Sequence, residues 1–200
     1  MAVAILPCAG SSRRMGRPKL LLPFRGDTVL GSLISALHSG GVTELVVVTR
    51  SADQTLQAWC SRKNIPTAVN PDPRRGMLSS VIAGLTFFGG ADELMQRGED
   101  LLVCPGDYPG LEPNSILQLR DRLRSLESGL VVPTCRGRRG HPLLISKDLA
   151  LRIGRLDPEK GLQELLEIYP DRVCEVTVDD PATVQDLDTP ADYEKLLREL

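Results

Sequence analysis

Several things this 200-residue chain lacks narrow its reading before any motif is considered. Its five cysteines (Cys8, Cys60, Cys104, Cys135, Cys174) stand singly, with no Cys-x-x-Cys pair and no His-Cys cluster at zinc spacing. That excludes the common zinc modules and a dithiol redox motif, and it points to reduced thiols. No apolar run reaches the length of a membrane span, and no charged segment leading into a long apolar stretch opens the chain. A soluble, cytoplasmic protein is the expectation. Net charge is only −2, which removes any general electrostatic case for nucleic acid or an anionic membrane as partner. There is no internal repeat, low-complexity tract or linker, so one domain over residues 1–200 is expected.

What remains is ordinary globular composition, 42% apolar and 25% charged, enough to build a full core at this length. Buried strands are predicted over Val3–Leu6, Leu45–Thr49, Ile65–Val69, Leu101–Cys104, Leu130–Thr134 and Arg172–Val178, where β-branched and aliphatic residues run together. Helices are predicted over Val29–His38, Ala52–Arg62, Met77–Phe88, Asn114–Leu126, Lys147–Ile153, Lys160–Ile168 and Ala191–Glu199. Asp27 or Thr28 caps the first of these, and Thr189 caps the last with Pro190 at its first position. A hairpin through the basic turn Arg136–Gly140 makes the sheet mixed. Strands alternating with helices describe a doubly wound α/β sheet, and ligands of such sheets bind beyond the carboxyl ends of the strands.

The first strand runs into Pro7-Cys8-Ala9-Gly10-Ser11-Ser12-Arg13-Arg14-Met15-Gly16-Arg17-Pro18-Lys19. Glycines permit close backbone approach, successive amides of Gly10, Ser11 and Ser12 can line an anion concavity, and four basic side chains concentrate charge there. A phosphate ligand is implied. The loop matches neither Gly-x-Gly-x-x-Gly nor the Walker pattern. Pro7 cannot donate a ladder hydrogen bond, so strand pairing is expected to end there. Cys8, in the loop, is expected to be accessible, while Cys104 and Cys174 read as small core residues.

This stretch resembles the L-A-A-G-x-S-x-R-M-G-x-P-K loop of the MobA-like nucleotidyltransferases, Pro7-Cys8-Ala9-Gly10 standing for L-A-A-G and Arg14–Lys19 for R-M-G-x-P-K. The resemblance implies a three-layer α/β/α Rossmann-like fold with a mostly parallel, mixed sheet. It makes Arg14 and Lys19 catalytic groups on the nucleotide phosphates, with Ala9, Gly10, Ser11 and Ser12 lining the nucleotide. Three further segments match in order. Gly106-Asp107-Tyr108-Pro109 resembles the G-D-x-P whose Asp binds the metal, Mg²⁺ by expectation, because a hard cation takes oxygen donors and bridges phosphates. Asp186-Leu187-Asp188-Thr189-Pro190 resembles D-I-D-T-P, and alternation places both carboxylates on one side, so either Asp186 or Asp188 completes the metal site. Asn70-Pro71 with Gly76-Met77-Leu78-Ser79-Ser80 resembles the segment opening a helix beside the base, giving Gly76, Ser79 and Ser80 as nucleotide-binding residues.

Gly140-His141-Pro142 matches a segment of the molybdenum-cofactor cytidylyltransferases and makes His141 and Arg139 acceptor-binding. Arg136 and Arg138 read equally well as a solvated hairpin tip. Gln163 stands where those relatives often carry Arg, which removes a positive charge from the acceptor side. The implied reaction is transfer of CMP from CTP to a molybdopterin-type cofactor with release of pyrophosphate. A molybdenum hydroxylase or its chaperone is the implied protein partner. Two other readings stay open: a sugar phosphate or other small phosphorylated acceptor, and a non-catalytic accessory protein that binds the cofactor. Lys19 and Asp107 argue against the latter.

Overall fold

The computed structural model describes residues 2–10 and 15–198. The first strand, β1 (Ala2–Pro7), is buried along its length until Pro7; Pro7 does not stop the pairing as expected, for it lies in register with Val48, and the Cys8 amide still donates to the Val48 carbonyl at 2.8 Å. A 3-10 turn over Lys19–Leu21 leads into a two-stranded hairpin, β2 (Pro23–Phe24) and β3 (Asp27–Thr28). Thr28 then caps α1 (Val29–Ser39), its hydroxyl accepting from the Gly31 amide at 3.0 Å. β4 (Glu44–Arg50) follows, then α2 (Gln54–Arg62) capped by Asp53, then β5 (Thr67–Asn70). Next come α3 (Gly76–Phe87), α4 (Ala91–Arg97), β6 (Asp100–Val103) and α5 (Pro113–Arg124), the last with proline in its first turn. β7 (Leu130–Cys135), β8 (Arg138–Arg139) and β9 (Leu143–Ile145) form the basic-tipped hairpin. Short helices α6 (Lys147–Ala150) and α7 (Gln163–Ile168), β10 (Val173–Thr177) and α8 (Pro190–Arg198) complete the described chain.

Eight of these strands make one mixed sheet in the order β10-β7-β9-β6-β1-β4-β5, with β8 paired to β7. β9 runs antiparallel to both its neighbours, and the other pairings along that path are parallel. The strands' period of two divides the interior. Ala4 and Leu6 of β1, Leu45 and Val47 of β4 and Leu102 of β6 face α1, α2 and α5. Val3, Ile5, Val46, Val48, Leu101 and Val103 face α3, α4, α6 and α7. The result is the three-layer α/β/α Rossmann-like arrangement. The chain moves from β1 through β4 to β5 on one side and returns to β6 on the other, so the order reverses at β1 and β6. In open α/β sheets such a reversal leaves a ligand crevice beyond the carboxyl ends of the two strands.

A third, smaller core sits at that end. Met15, Leu22, Phe24, Val29, Leu187 and Tyr193 are buried together, and the Tyr193 hydroxyl donates to the Pro23 carbonyl at 2.6 Å. It fastens α8 over the turn that carries Lys19. Among the described residues no helix is long and apolar enough to cross a membrane.

Three further expectations change. The hairpin β2–β3 and helix α4 lie where no element was expected. Cys174 is only half-buried on β10, whereas Cys104 is fully buried. Cys8 is buried, at 3% exposure, because it packs against Gly106, where a Cβ would collide with its Sγ. Burial first, and Asp107 next, push the Cys8 thiol well up, so it is an inert packing group.

Gly106→Ala is accordingly expected to destabilise the fold by about 1–3 kcal/mol through overpacking, and a Cys8→Ala background recovers much of that loss. Denaturant unfolding of the four proteins in the cycle checks it; equal losses in both backgrounds would remove Cys8 as the cause.

Candidate functional site

Three charged side chains from distant parts of the chain converge beyond β1 and β6. Lys19 donates to Asp107 Oδ2 at 2.6 Å and to Asp188 Oδ1 at 2.8 Å. Its side chain is 12% exposed, against 21% and 36% for the two carboxylates, so all three are partly withdrawn from water. Burial opposes the ammonium, but the hydrogen bonds to Asp107 and Asp188 overcome it and the Lys19 pKa is raised.

Backbone contacts fix this geometry. Cys104 and Gly106 donate to the carbonyls of Ile5 and Pro7, tying the Asp107 loop to the end of β1. Leu187 donates to the Asp107 carbonyl at 2.9 Å, which lays the 186–188 segment beside it. Leu187 points into the small core, so its neighbours face outward. Downstream, Thr189 and Asp192 cap α8 reciprocally: Asp192 Oδ2 accepts from the Thr189 amide at 2.7 Å, and the Asp192 amide donates to the Thr189 hydroxyl at 3.3 Å. Asp188 is thereby held at the helix start.

The structure separates the two carboxylates of the D-L-D segment. Asp188 joins Lys19, while Asp186 is exposed and lies toward Tyr108, whose phenol is pushed up first by burial and then by Asp186 and Asp107. Alternation placed them on one side, but the reach of Lys19 selects Asp188. Among the described residues no group of three or more His, Cys, Asp or Glu is placed to hold a metal. Two converging carboxylates nevertheless suit Mg²⁺, which is commonly held by one or two carboxylates together with water and substrate phosphates.

The start of α3 forms the opposite wall. Gly76 has φ +77° and ψ −173°, a conformation open to glycine and strained for other residues, while space for a Cβ is ample. Asn70, only 1% exposed, is the organising residue here, a role not assigned to it from the sequence motif in which it stands. Its Nδ2 donates to Ser79 Oγ at 2.8 Å and Ser80 Oγ at 2.9 Å, and its Oδ1 accepts from the Asp72 amide at 2.9 Å. Asparagine before a proline-bearing turn, nine and ten residues ahead of paired serines, was the available signal. Ser80 is buried and bound to Asn70, so in this structure its hydroxyl positions the loop.

A cavity of about 440 Å³ lies beside this wall, lined by Gly76, Met77, Tyr108, Arg139, His141 and Gln163 among others. Gly76, His141, Arg139 and Gln163 are thus brought together. His141 stacks edge-on to Tyr108 at 4.8 Å, and its Nδ1 is buried with no hydrogen-bond partner among the described residues. Burial lowers its pKa against the pull of Asp107, a backbone contact with Val103, and Asp186. Arg139 is bound to Glu175, through Nε at 2.8 Å and a second nitrogen at 2.6 Å, so its charge is already compensated. A second cavity of about 440 Å³ lies on the other side of α3's first turns, lined by Asn70, Asp72, Arg75, Ser79 and Ile82 among others. Ala9 is buried at the end of β1 and Gly10 is exposed. Ser11, Ser12 and Arg14 lie outside the described residues.

Residues 4–174 match the model of the MobA-like NTP transferase domain. Nicotine blue oxidoreductase of Paenarthrobacter nicotinovorans is 31% identical, over 96% of this chain and 95% of its own. Molybdenum cofactor cytidylyltransferase of Escherichia coli K12 is 25% identical, over 94% and 92%. Among solved structures, Rv0371c of Mycobacterium tuberculosis H37Rv superimposes with a TM-score of 0.82 at 25% identity, covering 100% of both chains. A manganese complex of Rv0371c gives 0.74 at 24%, covering 100% of this chain and 99% of that one.

The buried ring of His141 has a consequence for stability. Its folded pKa lies below the ordinary value of 6.5, so the neutral ring supports the fold fully above that value, and the support is lost as pH falls below it. Thermal melts between about pH 8 and about pH 5 should show wild type losing stability relative to His141→Gln as the medium is acidified. A gap independent of pH would mean that the ring is protonated in the fold at no cost.

Proposed function

The chain belongs to the MobA-like NTP transferase family, and from that premise we propose that it transfers CMP from CTP to a molybdopterin-type acceptor with release of pyrophosphate. The observation that carries the reading is the Lys19–Asp107–Asp188 cluster at the carboxyl ends of β1 and β6, where a nucleotide's phosphates would meet both an ammonium and a pair of hard anionic oxygens. The full-length similarity to a cytidylyltransferase of the molybdenum cofactor supports the choice of nucleotide and acceptor.

In this reading the first loop, with Ala9, Gly10, Ser11, Ser12 and Arg14, cradles the nucleotide phosphates, and Lys19 neutralises charge on them. Gly76 and Ser79 border the base and ribose, held in place by Asn70 and Ser80. The acceptor enters the cavity lined by His141, Arg139 and Gln163, which faces the cluster across Tyr108. Its terminal phosphate oxygen attacks the α-phosphorus in line; the new P–O bond forms as the bond to the β-phosphate oxygen breaks, and pyrophosphate leaves with the electron pair. No protein nucleophile is needed. Asp107 and Asp188 would hold Mg²⁺, which when bound neutralises charge on the phosphates; Asp186 sits farther out, toward the acceptor side. A cytoplasmic location and delivery to a molybdenum hydroxylase or its chaperone belong to the same reading.

A sugar phosphate or other small phosphorylated acceptor would use the same cluster and differ only in the cavity. The relative named an oxidoreductase marks a different chemistry. Hydride transfer does not call for an ammonium clamped between two carboxylates, whereas phosphoryl chemistry uses all three.

Asp107→Asn is expected to lower pyrophosphate release by at least ~100-fold with the fold intact, since it removes a hard anionic oxygen at constant size. Near-wild-type release would exclude Asp107 from the centre. Lys19→Ala should weaken nucleotide affinity along with turnover, because a point charge on the phosphates acts in ground and transition states alike. For base choice, Ala9 places a Cβ on the pocket floor where related guanylyltransferases resemble L-A-G-G. CTP is therefore expected to outcompete GTP in a single assay, a methyl group being worth about 1–3 kcal/mol of discrimination. A preference for GTP would sink the cytidylyl assignment and leave the transferase fold standing.

A further inference from the structure

The Lys19 ammonium sits in the place a divalent cation would need. It is within hydrogen-bond distance of both Asp107 and Asp188, and the main chain of both residues is held there by contacts that do not involve the lysine. Asp107 is tied through its carbonyl to Leu187, and Asp188 is fixed by the reciprocal cap of α8. The main chain at both positions is therefore set independently of the lysine, which keeps the two side chains within reach of one cation. An ammonium is a compact point charge on a flexible stem, able to fill such a gap and to leave it by rotation. Lys19 stands on the 3-10 turn over Lys19–Leu21, whose Pro18 and Leu22 flanks are extended, so the stem can swing without unwinding a long helix.

We propose that Lys19 is a built-in competitor for the divalent cation: in the nucleotide-free protein it occupies the position between Asp107 and Asp188, and a nucleotide phosphate that draws the ammonium away opens that position. The identity of that phosphate rests on the transferase reading, but the competition itself rests on the pairing of Lys19 with Asp107 and Asp188. Cation and nucleotide then bind with positive coupling. A cation entering alone must displace the lysine from both carboxylates, whereas a cation arriving with phosphates finds the ammonium drawn onto them. By linkage, the cation tightens the nucleotide by the same factor. The protein thus resists loading with metal in the absence of substrate.

The probe is Mn²⁺ alone, its binding followed by loss of the free-ion signal in electron paramagnetic resonance. Lys19→Met removes the charge at similar size and is expected to tighten Mn²⁺ by roughly 5–150-fold, the usual span of coupling between two ligands. Lys19→Arg keeps a cation in place and should leave the affinity low. Adding Asp107→Asn to Lys19→Met should abolish the gain. Should Lys19→Met be poorly folded without metal, the shift in melting temperature on adding Mn²⁺ reads the same quantity, and it should be larger than in wild type. Mn²⁺ binding in Lys19→Met that is no tighter than in wild type, or a melting shift no larger, overturns the proposal. Absence of pyrophosphate release from wild type with any nucleotide would instead overturn the transferase reading, and would leave the Mn²⁺ result to stand by itself.

Discussion

The site depends on a constraint of charge: two carboxylates, one from the middle of the sequence and one from near its C-terminus, are brought within reach of one lysine from near its N-terminus. Lys19 is separated by 88 residues from Asp107 and by 169 from Asp188. Two partly buried anions beside each other repel unless a cation lies between them, and that cation must come from a third segment. The fold meets this requirement by ending β1 and β6 side by side and by returning its last segment over both. The Leu187 to Asp107 backbone bond and the small core around Phe24 and Tyr193 hold that return in place. Burying side chains such as Phe24, Val29 and Leu187 supplies about 1.5–3 kcal/mol each toward holding the charges together.

The rest of the sheet serves as the rigid support for that end. Alternation along β1, β4 and β6 sends neighbouring side chains into two separate cores, so the strands cannot shift register without exposing one set and overfilling the other. The wall opposite the cluster is set by a different device. Asn70 uses one end of its amide on Ser79 and Ser80 of α3 and the other on the Asp72 amide of the preceding loop, and Gly76 allows the turn between them. The cavity between this wall and the hairpin, where we place the acceptor, carries mixed character. Its arginine is paired with Glu175, burial lowers the pKa of its histidine, Gln163 is uncharged, and Glu159 and Lys160 bring opposite charges to the rim.

Much of this was legible from residues alone. The β-branched runs marked β1, β4 and β7 because continuous apolar strands belong to sheets covered on both faces. Thr28 and Thr189 marked helix starts, and the first loop with Asp107 marked the crevice. The misses have physical causes. α4 is short and polar around a single buried leucine, Leu94, and gives almost no periodic signal. The β2–β3 hairpin has two residues a side and exists because Phe24 joins a core assembled from Met15 and Tyr193, far apart in sequence. Cys8 read as accessible because a loop cysteine gives no hint that Gly106 leaves room for its sulfur. Asp186 and Asp188 could not be told apart by alternation, since the choice depends on where Lys19 reaches.

The central claim is that Lys19, Asp107 and Asp188 form the centre at which nucleotide phosphates and a divalent cation meet. A crystal structure with CTP and Mn²⁺, using anomalous scattering to locate the metal, tests it most directly. The account predicts a manganese peak between the Asp107 and Asp188 carboxylates, with the Lys19 ammonium moved onto the phosphates. Nucleotide bound elsewhere, or Lys19 still bridging both carboxylates with the metal remote from them, would contradict it.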